Sequence, residues 1–236
     1  LFPLTPVLAF ERWKVNDNNR LSYRLDGALF ADFQLTGASK SVMIQSAALP
    51  SGRKGAVRLD MKGIDIGASL SLFPMAPPIT GYLSSDLVMT AVDKDFSVSG
   101  NLSVDELNYD KRRVGDIDLT LKYNPDSLNN QYVHADLAID KKEALQIDGS
   151  YRPADPENSL DVTVNIPSFP LSPANAFMPP DMAELTGQLT GHVQIGGTPV
   201  HPAITGELRF LDAAARVDMI SSTFKLAPDM IRLQNS

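Results

Sequence analysis

The chain has 236 residues, of which 43% are hydrophobic, with a mean hydropathy of −0.09 and a formal net charge of −7. This is a globular composition, and its acidity argues against a nucleic-acid-binding surface. The absence of cysteine excludes disulfides, thiol chemistry and Cys-ligated metals, and no run approaches the roughly 20 apolar residues of a membrane-spanning helix.

The chain starts at Leu1, with neither Met nor a signal peptide, and its last residues, Met230 to Ser236, read as a strand or its end. Both ends read as cuts, so 1–236 is expected to be a single elongated β-repeat region from a longer protein, with any targeting segment outside it. Period-2 alternation dominates what lies between. Strands are predicted over 21–25, 29–35, 42–48, 57–66, 83–89 and 96–104. Next, Ile117, Leu119, Leu121 and Tyr123 alternate with Asp116, Asp118, Thr120 and Lys122, and Val133, Ala135, Leu137 and Ile139 with His134, Asp136 and Ala138. After a strand at 145–151, Leu160, Val162, Val164 and Ile166 alternate with Asp161, Thr163 and Asn165; further strands are predicted at 189–195, 206–211, 215–220, 223–226 and 230–233. Each pattern gives one apolar and one polar face.

Turn signals separate the strands: Asp17-Asn18-Asn19, Ser51-Gly52-Arg53, Asp93-Lys94-Asp95, Asn124-Pro125-Asp126, Asp155-Pro156-Glu157-Asn158 and Gly196-Gly197. Strands joined this tightly are antiparallel neighbours. About 16 of them at ~4.8 Å spacing would stack to ~75 Å.

One segment resists the strand reading. Ser172 reads as an N-cap, Pro173 as the first helical residue, and Pro179-Pro180 as the stop of one or two helical turns. The stretch around Phe73 is the same element, more weakly written. A helix this short cannot stand alone in water. Phe177 and Met178 therefore either pack onto the sheet or form a candidate plug over a groove.

These elements recur. Ile79-Thr80-Gly81-Tyr82-Leu83 is followed, 19 residues after its glycine, by Gly100-Asn101-Leu102; Leu185-Thr186-Gly187-Gln188-Leu189 is followed at the same distance by Gly206-Glu207-Leu208. Upstream of each pair lies an alternating strand and then a Pro-rich apolar insert, 71–78 in one copy and 175–180 in the other. The internal repeats span approximately 42–120 and 145–226. Repetition of an all-strand unit predicts an elongated, curled antiparallel sheet, solenoid-like, with no single catalytic centre.

Catalytic chemistry is missing from the pattern. His134, His192 and His201 have no metal-ligand spacing, and no Gly-x-Ser-x-Gly elbow occurs. Asp116 and Asp118 fall on one strand face roughly 7 Å apart and read as surface carboxylates. Gly196-Gly197 precedes no helix that could receive an anion. The small basic clusters Arg53-Lys54, Lys111-Arg112-Arg113 and Lys141-Lys142 read as solvated turns that guard sheet edges, the second reading being contact with anionic headgroups. No enzyme activity, cofactor, metal site or nucleic-acid partner is expected.

The stretch from Leu185 to Ala214 resembles the TamB family, the translocation and assembly module proteins of the AsmA-like superfamily. A Gly-x-Leu strand pair is followed there by Gly-x-Pro-x-x-Pro-x-x-x-Gly-x-Leu, matched by Gly197, Pro199, Pro202, Gly206 and Leu208. The stretch from Gly100 to Leu119 is similar to the family as well. Together they cover roughly a fifth of the chain, and the insert at 175–180 lies outside the pattern.

The resemblance implies a β-taco, an all-β curled sheet with an apolar interior trough. It also implies a periplasmic protein of a diderm bacterium, anchored in the inner membrane through a segment outside this chain. Its implied role is bridge-like phospholipid transport and outer-membrane biogenesis, with phospholipid acyl chains and a BamA-like outer-membrane barrel as partners. On this reading Leu119, Leu121, Leu137, Ile139, Val162, Val164, Ile166, Leu189, Val193, Ile195, Leu208 and Phe210 line the trough. Two alternatives stay open: a scaffold for outer-membrane β-barrel assembly by strand augmentation, and a closed β-sandwich module, because alternation alone does not separate a trough from a core.

Overall fold

The computed structural model describes residues 5–8, 11–23, 29–47, 56–90, 96–179 and 182–234. Strands β1 (Val7–Leu8) and β2 (Glu11–Arg12) make a small sheet of their own. Every other strand joins one antiparallel sheet of 15. In chain order these are β3 (Lys14–Val15), β4 (Arg20–Tyr23), β5 (Leu29–Thr36), β6 (Ser41–Ala47), β7 (Ala56–Asp65), β8 (Ile79–Thr90), β9 (Ser97–Tyr109) and β10 (Arg112–Pro125). They continue with β11 (Gln131–Ile139), β12 (Lys142–Tyr151), β13 (Leu160–Pro170), β14 (Glu184–Gly197), β15 (Pro202–Val217), β16 (Ser222–Lys225) and β17 (Met230–Leu233).

From β5 to β15 each strand pairs with its neighbours in sequence. The sheet is curled and open, and among the described residues the other sheet is the two-stranded β1–β2 pair, tied to it by the Glu11–Lys40 ion pair at 2.7 Å. The closed sandwich is thereby overturned. The stack is also shorter than expected. β3 and β4 both pair with β5, and β16 and β17 both pair with β15, so only 13 strands lie in succession. Twelve spacings of ~4.8 Å give ~58 Å rather than ~75 Å.

The alternation explains most of this. In the hairpins β9–β10 and β11–β12 the two-residue loops Asp110-Lys111 and Asp140-Lys141 have φ of 47° and 64°, and of 50° and 64°. This is the mirror-image turn whose twist matches that of the strands it joins. Wider turns use side chains: Asp126 Oδ1 accepts from the amides of Leu128 (2.8 Å) and Asn130 (2.9 Å), and Asp155 Oδ1 from those of Glu157 (3.1 Å) and Asn158 (2.9 Å).

Several expectations need correction. The strands expected at 206–211 and 215–220 are a single strand, β15, which bends at the register shift between Thr186 and Gln188 of β14 and ends in a 3-10 turn (Asp218–Ile220). The first insert's helix, α1 (Ile66–Leu70), lies upstream of Phe73, because Asp65 caps it by accepting from the Ala68 amide at 2.8 Å. The second insert is a 3-10 helix over Ser172–Phe177. Its cap position is Leu171, with no side-chain hydrogen bond, and Ser172 is its first residue rather than its cap. Residues 24, 25 and 48, the turns at 51–53 and 93–95, the Arg53-Lys54 pair, Pro180 and both chain ends lie outside the described residues.

Candidate functional site: the apolar face of the sheet

Strand register carries apolar side chains from one strand to the next. Phe33, Ile44, Leu59 and Leu87 stand opposite one another across β5 to β8. The row continues through Gly100, Leu121, Ala135, Ile147, Val164, Val193 and Gly206 to Leu233 on β17. A parallel row runs Leu35, Val42, Met61, Ser85, Leu102, Leu119, Leu137, Leu145.

The twelve residues expected to line a trough all fall on this face. Leu119 and Leu137 pair directly, as do Val164 and Val193, Val162 and Ile195, and Leu189 and Phe210. Ile139 stands opposite Ile117, Ile166 opposite Gly191, and Leu208 opposite Gly191 on the other side. Ile139 is buried, at 5% exposure; the other eleven are half-buried. Among the described residues no large side chain is fully buried, and the buried apolar set is mostly alanine. A sheet packed on both faces would bury its leucines and isoleucines; here, among the described residues, those of the apolar face stay mostly half-buried.

Sequence reasoning named only the C-terminal part of this surface. Its N-terminal half was obscured by two interruptions. One is the register shift between Met61 and Ile64, with Gly63 at φ 58°. The other is Ser85 in the middle of a row of aliphatic side chains, 6% exposed and with its hydroxyl unpartnered. The alternation of 57–66 was the signal that could have extended the face.

The opposite face is polar and cross-linked. Asp60, Asp86, Asn101, Thr120, Asp136, Gln146, Asn165, His192 and Glu207 follow one another across the strands (β12 contributes Gln146 through its pairing with both neighbours). Thr120 Oγ1 donates to Asn101 Oδ1 at 2.9 Å, Thr163 Oγ1 to Gln194 Oε1 at 2.7 Å, and Gln194 Nε2 to Asp161 Oδ1 at 2.7 Å. His134 contacts Asp148 through Nδ1 at 2.7 Å and Asp136 through Nε2 at 2.9 Å. Those two carboxylates, Asp148 first, raise its pKa above the ordinary 6.5.

Asp116 does more than face water. It sits where the β9–β10 register breaks, accepts from the Glu106 amide at 2.8 Å, pairs with Arg113, and donates its own amide to Asp140 Oδ1 at 2.9 Å. The Glu106 N–H, and then Arg113, hold its carboxyl below the usual range. A shallow cavity of about 510 Å³ lies between Asp60, Lys62, Asp86, Asn101, Asp118 and Thr120. Met61, Leu102 and Leu119 line it as well.

The second insert is tied down at one end of the strands. Arg112 Nη1 donates to the carbonyls of Asn175 (3.0 Å) and Met178 (2.7 Å). The Asn175 side chain bonds both the amide (2.7 Å) and the carbonyl (2.9 Å) of Leu185. Phe177 rests on Tyr109 with ring centroids 4.8 Å apart yet is 63% exposed, and Met178 is half-buried. The insert therefore reaches from β14 to the β9–β10 hairpin, touching β9, β10 and β14. Arg112, read in the sequence as part of a solvated basic turn, is instead half-buried and anchors the insert, and Asn175 did not stand out in the sequence.

Comparison with curated proteins and with solved structures finds no match to either. Among the described residues no helix is long and apolar enough to cross a membrane. The family model for the N-terminal domain of TamB matches residues 21–210, a span that runs from β4 into β15. A chain built on one long, curled, antiparallel sheet and matched by that model over most of its length belongs to the TamB family.

Proposed function

We propose that this TamB-family chain is a stretch of hydrophobic conduit that carries phospholipid acyl chains along the apolar face of its sheet. The family supplies the coarser frame: bridge-like lipid transport and the translocation and assembly module, an envelope location, and no known enzyme activity. The observation that carries the finer reading is the unbroken apolar row from Phe33 on β5 to Leu233 on β17, half-exposed along its length.

Its energetics suit transport. Burial is worth about 0.8 kcal/mol per CH₂, so a 16-carbon tail gains on the order of 12 kcal/mol relative to water. Moving from Leu121 to Ala135 to Ile147 exchanges one aliphatic neighbour for another, so the tail keeps that gain at each step. A headgroup would remain in solvent along the open side of the curl. On this reading Phe177 and Met178, on the insert reaching to the β9–β10 hairpin, act as a plug. The periplasm, an inner-membrane anchor outside this chain and a BamA-like barrel partner belong to the same proposal.

The test is photo-crosslinking in cells with a benzophenone side chain at Leu121 and, as control, at Thr120 on the polar face. Phospholipid attached at 121 and absent at 120 is the expected result. A folded protein without lipid at 121 ends the conduit reading and leaves the scaffold reading, in which proline substitutions in the terminal strands β4 and β17 would abolish function.

A further inference from the structure

In a sheet whose consecutive strands are antiparallel neighbours, connections alternate between two long rims. The rim at the C-terminal ends of the odd strands β7, β9, β11 and β13 receives both inserts and the Asp110-Lys111 and Asp140-Lys141 turns. Its outline is uneven. β10 pairs with β9 as far out as Arg112, but its pairing with β11 ends at Ile117–Ile139. β14 likewise pairs with β15 out to Glu184, past its last pair with β13 at Pro170–Gln188. The shorter β11–β12 hairpin between them forms the floor of a notch.

A seam deepens the notch. β12 pairs with β13 from Tyr151–Leu160 to Gln146–Asn165 and no further, although β12 begins at Lys142 and β13 runs on to Pro170. Two features end the ladder. Pro167 has no N–H to give to it. On the facing strand the register slips around Ala144, between the Leu137–Leu145 and Ala138–Glu143 pairs. From there to the rim the two strands are unpaired with each other. The lips of the seam are apolar: Ala144 and Leu145 on one side, Ile166 and Phe169 on the other. Leu145 pairs with Leu137 and Phe169 with Leu189, so both lips continue the apolar face.

The 3-10 segment Ser172–Phe177 bridges this notch, and its two moorings differ. On the β14 side it is held through the backbone and a bidentate amide. The Leu171 amide donates to the Gly187 carbonyl at 3.0 Å, and the Asn175 side chain takes both the amide and the carbonyl of Leu185. On the β10 side the hydrogen bonds come from one side chain, Arg112, reaching the carbonyls of Asn175 and Met178, and the Phe177 ring leans on Tyr109. Apolar packing adds little. The segment buries the small Pro173 and Ala176 and leaves its one large side chain, Phe177, 63% exposed. A short helix fastened firmly along one edge and clasped by a single residue at the other has the form of a hinge and a latch.

We infer that the Ser172–Phe177 segment is a hinged cover over a side opening of the apolar face, and that Arg112 is its latch. With the two Arg112 hydrogen bonds made, the cover shuts the notch. With them broken, an acyl chain passes between Leu145 and Ile166 onto the apolar face without travelling from either end of the sheet. Arg112 is a positioning residue here: it acts on the cover and does not touch the lipid. The side entry rests on the conduit proposal and adds to it a place where cargo is admitted.

Since the chain lacks cysteine, single cysteines report on the cover. In the purified protein, Leu145→Cys is expected to react with a maleimide roughly tenfold faster once Arg112→Ala is added, as two hydrogen bonds are lost. Leu87→Cys, on the same face at β8, reacts at one rate in both backgrounds, and Arg112→Lys, which keeps a donor, falls between the two. In cells, Tyr109→Cys and Phe177→Cys joined by a short bismaleimide hold the cover shut. Phospholipid captured by the benzophenone at Leu121 is then expected to drop several-fold against the same variant left unjoined, with the strand circular-dichroism signal unchanged. The gate is overturned if Arg112→Ala leaves the rate at 145 as it was, or if joining 109 to 177 leaves capture at 121 undiminished; lipid would then enter from the ends of the sheet and the conduit proposal would stand. No lipid at 121 even in the unjoined protein ends the conduit proposal and the gate with it.

Discussion

At the scale of single residues, the repeated glycines are explained by backbone proximity. Gly100 and Gly206, each 19 residues after a glycine at a register break, have φ of 143° and 152°. A Cβ on Gly100 would lie 1.9 Å from the Asp86 carbonyl oxygen, and one on Gly206 would lie 2.2 Å from that of His192. Gly100→Ala is therefore expected to destabilise the chain by about 3 kcal/mol or more, read as a lower urea midpoint at unchanged slope. The positions of these glycines were legible as a spacing; the reason for them, a neighbouring strand pressed against the backbone, belongs to the sheet and is not written in any one segment. Asp116 was misread for a related cause. On a regular strand it would share a face with Asp118, but the break around Gly115 and Ile117 turns it into a bond acceptor for β9 and a donor to Asp140.

Among elements, strands were the legible part, because period-2 alternation repeats often enough to be read without partners. Strand ends were less so: β8, β9 and β14 run several residues past the alternating core, held by pairing with equally long neighbours. Hairpin turns show where sequence and geometry disagree. Lys141 occupies a left-handed position that glycine fills at lower cost, so Lys141→Gly is expected to raise stability by about 0.5–1 kcal/mol, measured as a higher urea midpoint. No gain there would mean that the lysine side chain offsets its own backbone strain. The inserts were located by proline and misplaced in detail. Prolines mark where a strand cannot continue, whereas the helix start in the first insert is set by Asp65 and the seat of the second by Arg112, 63 residues away from Asn175.

For the whole molecule, the apolar face needs no single residue. A charge at Val164 is surrounded by Ile147 and Val193 on a half-buried surface, so Val164→Asp is expected to leave the strand circular-dichroism signal intact while stopping lipid flux in cells. Normal flux with that aspartate in place would count against the conduit. The fold class could be read from the sequence because each strand announces itself. The absence of a covering layer among the described residues could not, since an apolar stripe looks the same whether another sheet, a lipid or nothing lies over it.

The strict succession of β5 to β15 has a consequence for how such a chain can change length. Removing or adding one strand would reverse the direction of everything after it, and each downstream connection would move to the opposite rim. Two strands, or any even number, leave the rims as they were. The insert after β7 and the insert after β13 are six strands apart, an even interval, and so they share a rim. Growth in this architecture obeys parity: the span can lengthen by hairpins, about 10 Å at a time, while each edge keeps its own chemistry.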